Sequence, residues 1–372
     1  MSFRYAAGIN KPGFNPLAVQ TTTTTATLFG WGQNSFGQLG LGDTADRSSP
    51  VQVGVLTDWS NISAGSLHAL ATETDGTLYS WGYNAQGQLG LGNTTGYSSP
   101  KQIGSLTTWL NVTGGPYQSF ATKTDGTLWA WGNNNNGQLG LGDTTSRNSP
   151  VQVGALTTWL HMAAGTYHTL ALKTDGTLWS WGRNVSGELG LGNTTNYSSP
   201  KQIGSLTTWL KVSSGFYFSL ATQSDGTLWT WGNNNLGQLG SGNTTNRSSP
   251  VQVGALTTWL TIAGGAYFVL AVKTDGTLWS WGEGTAGQLG LGNALNYSSP
   301  KQIGALTAWS KITGAINFST SIKTDGTLWA WGRNLQGQLG IGNLTNYSSP
   351  KQVGSLTTWS KITSKRNYTL AA

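Results

Sequence analysis

The stretch Asp175-Gly176-Thr177-Leu178-Trp179-Ser180-Trp181-Gly182 decides the fold, because the chain returns to it every 50 residues. Trp181 belongs to the series Trp31, Trp81, Trp131, Trp181, Trp231, Trp281 and Trp331. A second tryptophan keeps the same beat from Trp59 to Trp359, and a proline keeps it from Pro50 to Pro350. A fixed period of this size means one supersecondary unit stacked on copies of itself. The 372 residues are therefore read as one repeat domain over 23–372, preceded by an arm and Thr-rich spacer over 1–22.

Working outward, Asp175-Gly176 predicts a hairpin with a type I′ turn, which needs positive φ at both central residues. It joins Tyr167 to Lys173, which alternates apolar and polar, to the strand Thr177–Gly182. Upstream, Thr158 to Met162 reads as another strand. Ser149-Pro150-Val151-Gln152-Val153 opens the unit, with proline expected at the strand's first position, where a missing donor is tolerated. Four short strands per repeat and no helical periodicity make an all-β propeller blade. Asn367 to Ala372 aligns with the third strand, and Ala26 to Gly32 with the fourth. The two termini are expected to build one blade together, with the chain break at a hairpin tip, so that closure removes exposed sheet edges.

Composition bounds the chemistry. Charged residues make up 9% of the chain, against about 25% in typical soluble proteins. The 54 glycines sit at fixed repeat positions and mark turns. Without cysteine there is no disulfide, no thiolate metal site and no cysteine nucleophile. No apolar run is long enough to span a membrane, and no stretch reads as a signal peptide. A neutral-polar, cysteine-free surface favours an extracellular or virion-exposed setting. The net charge of +7 is spread thinly, and Lys365-Arg366 is the one adjacent basic pair. Nucleic acid lacks its clustered basic footprint here.

Asp175 to Asn184, followed by Gly187-Glu188-Leu189-Gly190-Leu191-Gly192 and then Pro200, resembles the regulator of chromosome condensation repeat. The resemblance covers residues 23–372 and implies a seven-bladed β-propeller. It implies function less directly. Members act as nucleotide-exchange factors for a small GTPase, as chromatin binders, as ubiquitin-ligase modules and as secreted enzyme inhibitors. Function has to be argued from a site.

Sites of chemistry are sparse. Gly-Gln-Leu-Gly-Leu-Gly lacks the spacing and the Lys-Ser/Thr of a phosphate loop, and its presence in every repeat marks a structural turn. The acidic residues form no cluster, and Glu188 and Glu283 are isolated replacements. His68 and His168 occupy a position held elsewhere by Gln118, Phe218, Phe268, Phe318 and Tyr368, which marks packing rather than metal ligation. No catalytic triad stands out. The expectation is a protein that is not an enzyme and that uses no metal or cofactor.

The differences among repeats carry the functional reading. One variable stretch follows each Trp-Gly and includes Tyr83, Arg183 and Arg333. The other precedes the third strand and includes Leu67, Tyr117, Tyr167, Tyr217 and Tyr267. Tyrosine on loops supplies contact area at low entropic cost. A pattern of period 100 places Arg at 47, 147 and 247, and Tyr–Lys pairs at 97/101, 197/201, 297/301 and 347/351, where the tyrosine offers the lysine a π face. The arm adds Phe3, Tyr5 and Phe14 as docking groups. The reading is a non-enzymatic interaction propeller that meets a protein partner through these loops or the arm, as part of a phage virion or cell-surface assembly. Alternatives are a guanine-nucleotide exchange factor, a glycan-binding lectin and a secreted enzyme inhibitor.

Overall fold

The computed structural model describes residues 26–372. It is all-β: 28 strands form seven four-stranded antiparallel sheets arranged as blades. The first blade takes Trp59–Ala64, His68–Glu73, Leu78–Gly82 and Tyr97–Gln102 in that order, and five more blades repeat it at intervals of 50. The innermost strands line a central channel of about 240 Å³ walled by Ser63, Thr113, Met162, Val212, Ile262, Ile312 and Thr363 among others.

The seventh blade closes the ring. Phe29–Gly32 and Arg47–Gln52 from the start of the chain join Ile362–Lys365 and Tyr368–Ala371 from its end. Phe29 pairs with Ala371 and Gly32 with Tyr368. The chain break thus replaces a hairpin tip, as expected, with two strands contributed by each terminus.

Two sequence expectations need correction. Each blade begins at the tryptophan strand, so the proline strand closes the preceding blade. Pro150 is the fourth of six residues in Arg147–Gln152, not the first. That strand lies at the outer edge of its sheet, where a missing N–H costs no ladder bond. The Asp-Gly hairpin is also not type I′. Gly76 has φ +83, but Asp75 is not among the residues with positive φ. Gly76 N–H donates to Glu73 O and Glu73 N–H to Thr77 O. The loop is therefore a three-residue connection, a turn closed by a left-handed glycine. Asp75 contributes by accepting a hydrogen bond from Thr77 N–H at 2.8 Å.

The core lies between blades. Trp181 Nε1 donates to Gln138 O of the preceding blade at 2.8 Å. Equivalent bonds recur in all seven blades, ending with Trp31 to Gln338 O across the closure. The indole settles on the glycine after the Gly-Gln-Leu run: a Cβ on Gly140 would lie 2.8 Å from Trp181 Nε1. The Gly-Gln-Leu-Gly motif is the socket for the next blade's tryptophan, which explains its presence in every repeat. Leu139, Val153, Trp159 and Phe120 complete one such buried cluster, drawn from two blades.

Candidate functional site

Strand direction decides which loops meet. The connections between first and second strands, and those between third and fourth, emerge on one face of the ring. Both variable stretches therefore share a face. A backbone bond stitches them together in every blade: Tyr83 N–H to Leu67 O, Asn133 to Tyr117, Arg183 to Tyr167, Asn233 to Tyr217, Glu283 to Tyr267, Arg333 to Asn317 and Gln33 to Asn367, all at 2.8–2.9 Å.

On this face the tyrosines form an arc of half-buried rings. The Tyr167 and Tyr217 centroids are 6.3 Å apart, and those of Tyr217 and Tyr267 are 6.2 Å apart. Phe216 packs edge-on to Tyr267 at 5.6 Å. The Arg183 guanidinium lies over Tyr217, 4.9 Å from its centroid. At the other end, exposed Phe36 meets Tyr83 edge-on at 5.0 Å. Between them lies a concavity of about 530 Å³, lined by Tyr83, Gln86, Tyr117, Asn133, Asn135, Asn136, Tyr167 and Arg183. Rings of this kind present apolar area with a polar tip, and amides beside them add adaptable hydrogen bonds.

The site residues read from sequence divide accordingly. Tyr83, Tyr117, Tyr167 and Arg183 line the concavity, and Tyr217 and Tyr267 extend it. Arg333 lies on the same face but does not line the concavity. Leu67 departs from the expectation: it is 6% exposed and offers a partner little surface. Phe3, Tyr5 and Phe14 lie outside the described residues. Phe36, Phe216 and the three asparagines sit within or beside the stretches that vary among repeats, but only the folded ring brings them to the tyrosines.

The aligned histidines are packing groups. His68 Nε2 is 2.9 Å from Ser119 Oγ, and that hydroxyl donates to Gln88 O at 2.8 Å. With the serine proton committed, His68 donates through Nε2–H. His168 repeats the arrangement with Ser219 and Glu188 O. Burial holds both rings neutral, lowered to about 3.

The opposite face repeats itself much more faithfully. It carries the Asp-Gly hairpins and a half-exposed leucine in each inter-blade connection, such as Leu106, Leu156 and Leu206. Lys123 lies over Trp129 at 3.8 Å and over Trp109 at 4.9 Å. On the outer strands Lys101, Lys201, Lys301 and Lys351 lie over Tyr97, Tyr197, Tyr297 and Tyr347 at 5.2–5.6 Å, as the 100-residue pattern predicts. Arg47 and Arg147 instead pair with Asp43 and Asp143 at 2.5 and 2.6 Å. Among the described residues no helix is long and apolar enough to cross a membrane.

Comparison with known proteins agrees with this geometry. The family model of the RCC1-like domain matches residues 17–259. The regulator of chromosome condensation repeat matches 275–322 and 325–372, and a second model of that repeat matches 260–288. The ultraviolet-B receptor UVR8 of Arabidopsis thaliana is 45% identical over 51 residues, a stretch spanning 13% of this chain and 12% of that protein. Among solved structures, human WBSCR16 superposes with a TM-score of 0.84 at 23% identity, covering 93% of this chain and 98% of that one. Prp20p of Saccharomyces cerevisiae, characterised for its binding to Gsp1p and histones, gives 0.84 at 20% identity, covering 94% and 92%. At these identities the likeness is one of fold.

Proposed function

The chain belongs to the regulator of chromosome condensation (RCC1) repeat family, and from that premise we propose that it is a non-enzymatic protein-binding propeller whose working face carries the tyrosine arc. One observation carries the reading. The two stretches that escape the repeat pattern converge on a single face, while the opposite face repeats itself. Half-buried tyrosines, a stacked arginine and amides around a concavity are the composition of a contact surface. Prp20p, with its binding to Gsp1p and histones, supports a protein as the class of partner and leaves its identity open.

The test is affinity capture from the source cells with three baits: the unaltered protein, Tyr117→Ser/Tyr167→Ser/Tyr217→Ser, and Leu106→Ser/Leu156→Ser/Leu206→Ser. Identified partners should be lost with the first variant and kept with the second. The reverse pattern would move the working face to the other side of the ring.

A second reading follows from the concavity itself, since Tyr117 and Tyr167 beside Asn133, Asn135 and Asn136 suit a sugar ring. A glycan array that finds no ligand removes it.

A further inference from the structure

One position at the channel mouth breaks the ring's symmetry. It is Gly65, Gly115, Gly165, Gly215, Gly265 and Ala315 in six blades and Lys365 in the seventh. The glycines have a cause, because the side chain three residues on folds back over them: a Cβ on Gly65 would collide with His68, and one on Gly215 with Phe218. In the seventh blade that side chain is Tyr368, whose hydroxyl reaches across to Gly65 O at 2.9 Å and His68 O at 2.5 Å, as Gln118 Nε2 reaches Gly165 O. Arg366 follows with φ +48, a left-handed conformation shared by one other non-glycine among the described residues.

The result is a pair of adjacent cations without a counter-charge among the described residues. Lys365 lines the central channel, and Lys365 and Arg366 both line a void of about 10 Å³ beside Phe216 and Ile316 at its mouth. Among the described residues that line either space none is a carboxylate. Among the described residues neither side chain has an ion-pair partner. Lys365 is half-buried at a channel whose lining mixes Ser, Thr, Ala and Gly with Met162, Val212, Ile262 and Ile312, and desolvation lowers its pKa to about 8. A charge partly withdrawn from water without a partner is unfavourable, and an anion arriving from outside relieves it.

We propose that the channel mouth is a carboxylate-binding hub, where an acidic peptide segment of a protein partner crosses the tyrosine arc and sets an Asp or Glu carboxylate against Lys365 and Arg366. This rests on the tyrosine face being the protein-binding face. The void where the two cations meet is too small to enclose a free dicarboxylate, and among the described residues lining the wider channel Lys365 is the one cation, so a carboxylate that engages both is held from above by a larger body, which the arc accommodates. Two cations at one point suit a carboxylate better than a nucleic-acid backbone, which needs a track of them.

The probe is a fluorescent octaglutamate peptide, read by anisotropy. Lys365→Gly/Arg366→Ser restores residues found at these positions in other blades and should weaken binding at least tenfold. Lys123→Gln/Lys173→Gln removes the same charge from the opposite face, copies Gln223, and should change binding less than twofold. Equal losses in the two variants would show that net charge alone attracts the peptide and would overturn the hub. Displacement by millimolar glutarate would overturn the requirement for a peptide, and tighter binding of octathymidylate would assign the site to nucleic acid. Failure of octaglutamate to bind the unaltered protein sinks the hub, while the capture experiment still judges the face independently.

Discussion

Arg183 Nη1 stands 3.2 Å from Glu188 Oε1, and Glu188 is the residue that leaves the repeat pattern, since arginine recurs at Arg333 opposite Gln338. The other six blades place glutamine where Glu188 stands. Gln138 Nε2 donates to Asn133 Oδ1 at 2.6 Å, and Gln238 to Asn233 at the same distance. The blade that begins at Trp159 thus keeps the contact and exchanges its polarity. Glu188 is buried, and desolvation raises its pKa, against the pull of the Ser186 N–H and Arg183.

Removing Arg183 leaves a buried carboxylate without its cation. Because the Arg183 side chain is 25% exposed, the loss is moderated by solvent: Arg183→Ala should destabilise by about 1–2 kcal/mol. Arg183→Asn/Glu188→Gln copies two other blades and should return stability to within about 0.5 kcal/mol of the parent. Urea unfolding of the single and double variants measures both.

Glycine roles separate by surroundings. Gly340 has φ +70, and a Cβ there would lie 2.6 Å from Trp31 Nε1 at the closure of the ring. Gly54 has φ +61 with nothing within 4 Å. Gly54→Ala carries only backbone strain and should cost about 1 kcal/mol. Gly340→Ala adds a steric clash with the indole and should cost about 3 kcal/mol. Thermal unfolding of the pair should show the larger loss at Gly340, and equal losses would contradict the socket role of that glycine.

Acid should weaken the fold earlier than its aspartates alone would dictate. His68 and His168 are lowered from 6.5 to about 3 in the folded chain. The unfolded chain therefore binds protons that the folded chain refuses. Their contribution is complete above pH 6.5 and declines as pH falls toward 3, by about 1.4 kcal/mol per unit for each ring. Between pH 6.5 and 5 the two together remove about 3 kcal/mol. His68→Gln/His168→Phe, using residues that other blades place there, should flatten this limb. An unchanged slope would show that neither ring is buried neutral.

The architecture was legible because it is periodic: the Trp31 series, the hairpins and the split blade all follow from counting. Its boundaries were not. A cyclic repeat has no starting point in sequence, so Pro150 was placed at the beginning of a blade that it in fact ends. The type I′ expectation at Asp175-Gly176 fails because the same dipeptide serves a longer turn, which Thr177 and Lys173 close. The Trp181 socket escaped because the contact spans 43 residues rather than 50. The candidate site was half legible. Variation among repeats pointed to Tyr83, Tyr117, Tyr167 and Arg183, and only strand direction could put the two stretches on one face. Leu67 sits at the same position yet turns inward. Lys365 was visible as half of a basic pair, but its isolation in the channel mouth depends on six glycine-or-alanine neighbours in space.

The most direct test is hydroxyl-radical footprinting of the protein with and without a partner recovered by capture. The account predicts protection of Tyr83, Tyr117, Tyr167, Tyr217 and Tyr267, with Leu106, Leu156 and Leu206 unchanged. Protection of the leucines with the tyrosines still fully reactive would contradict it.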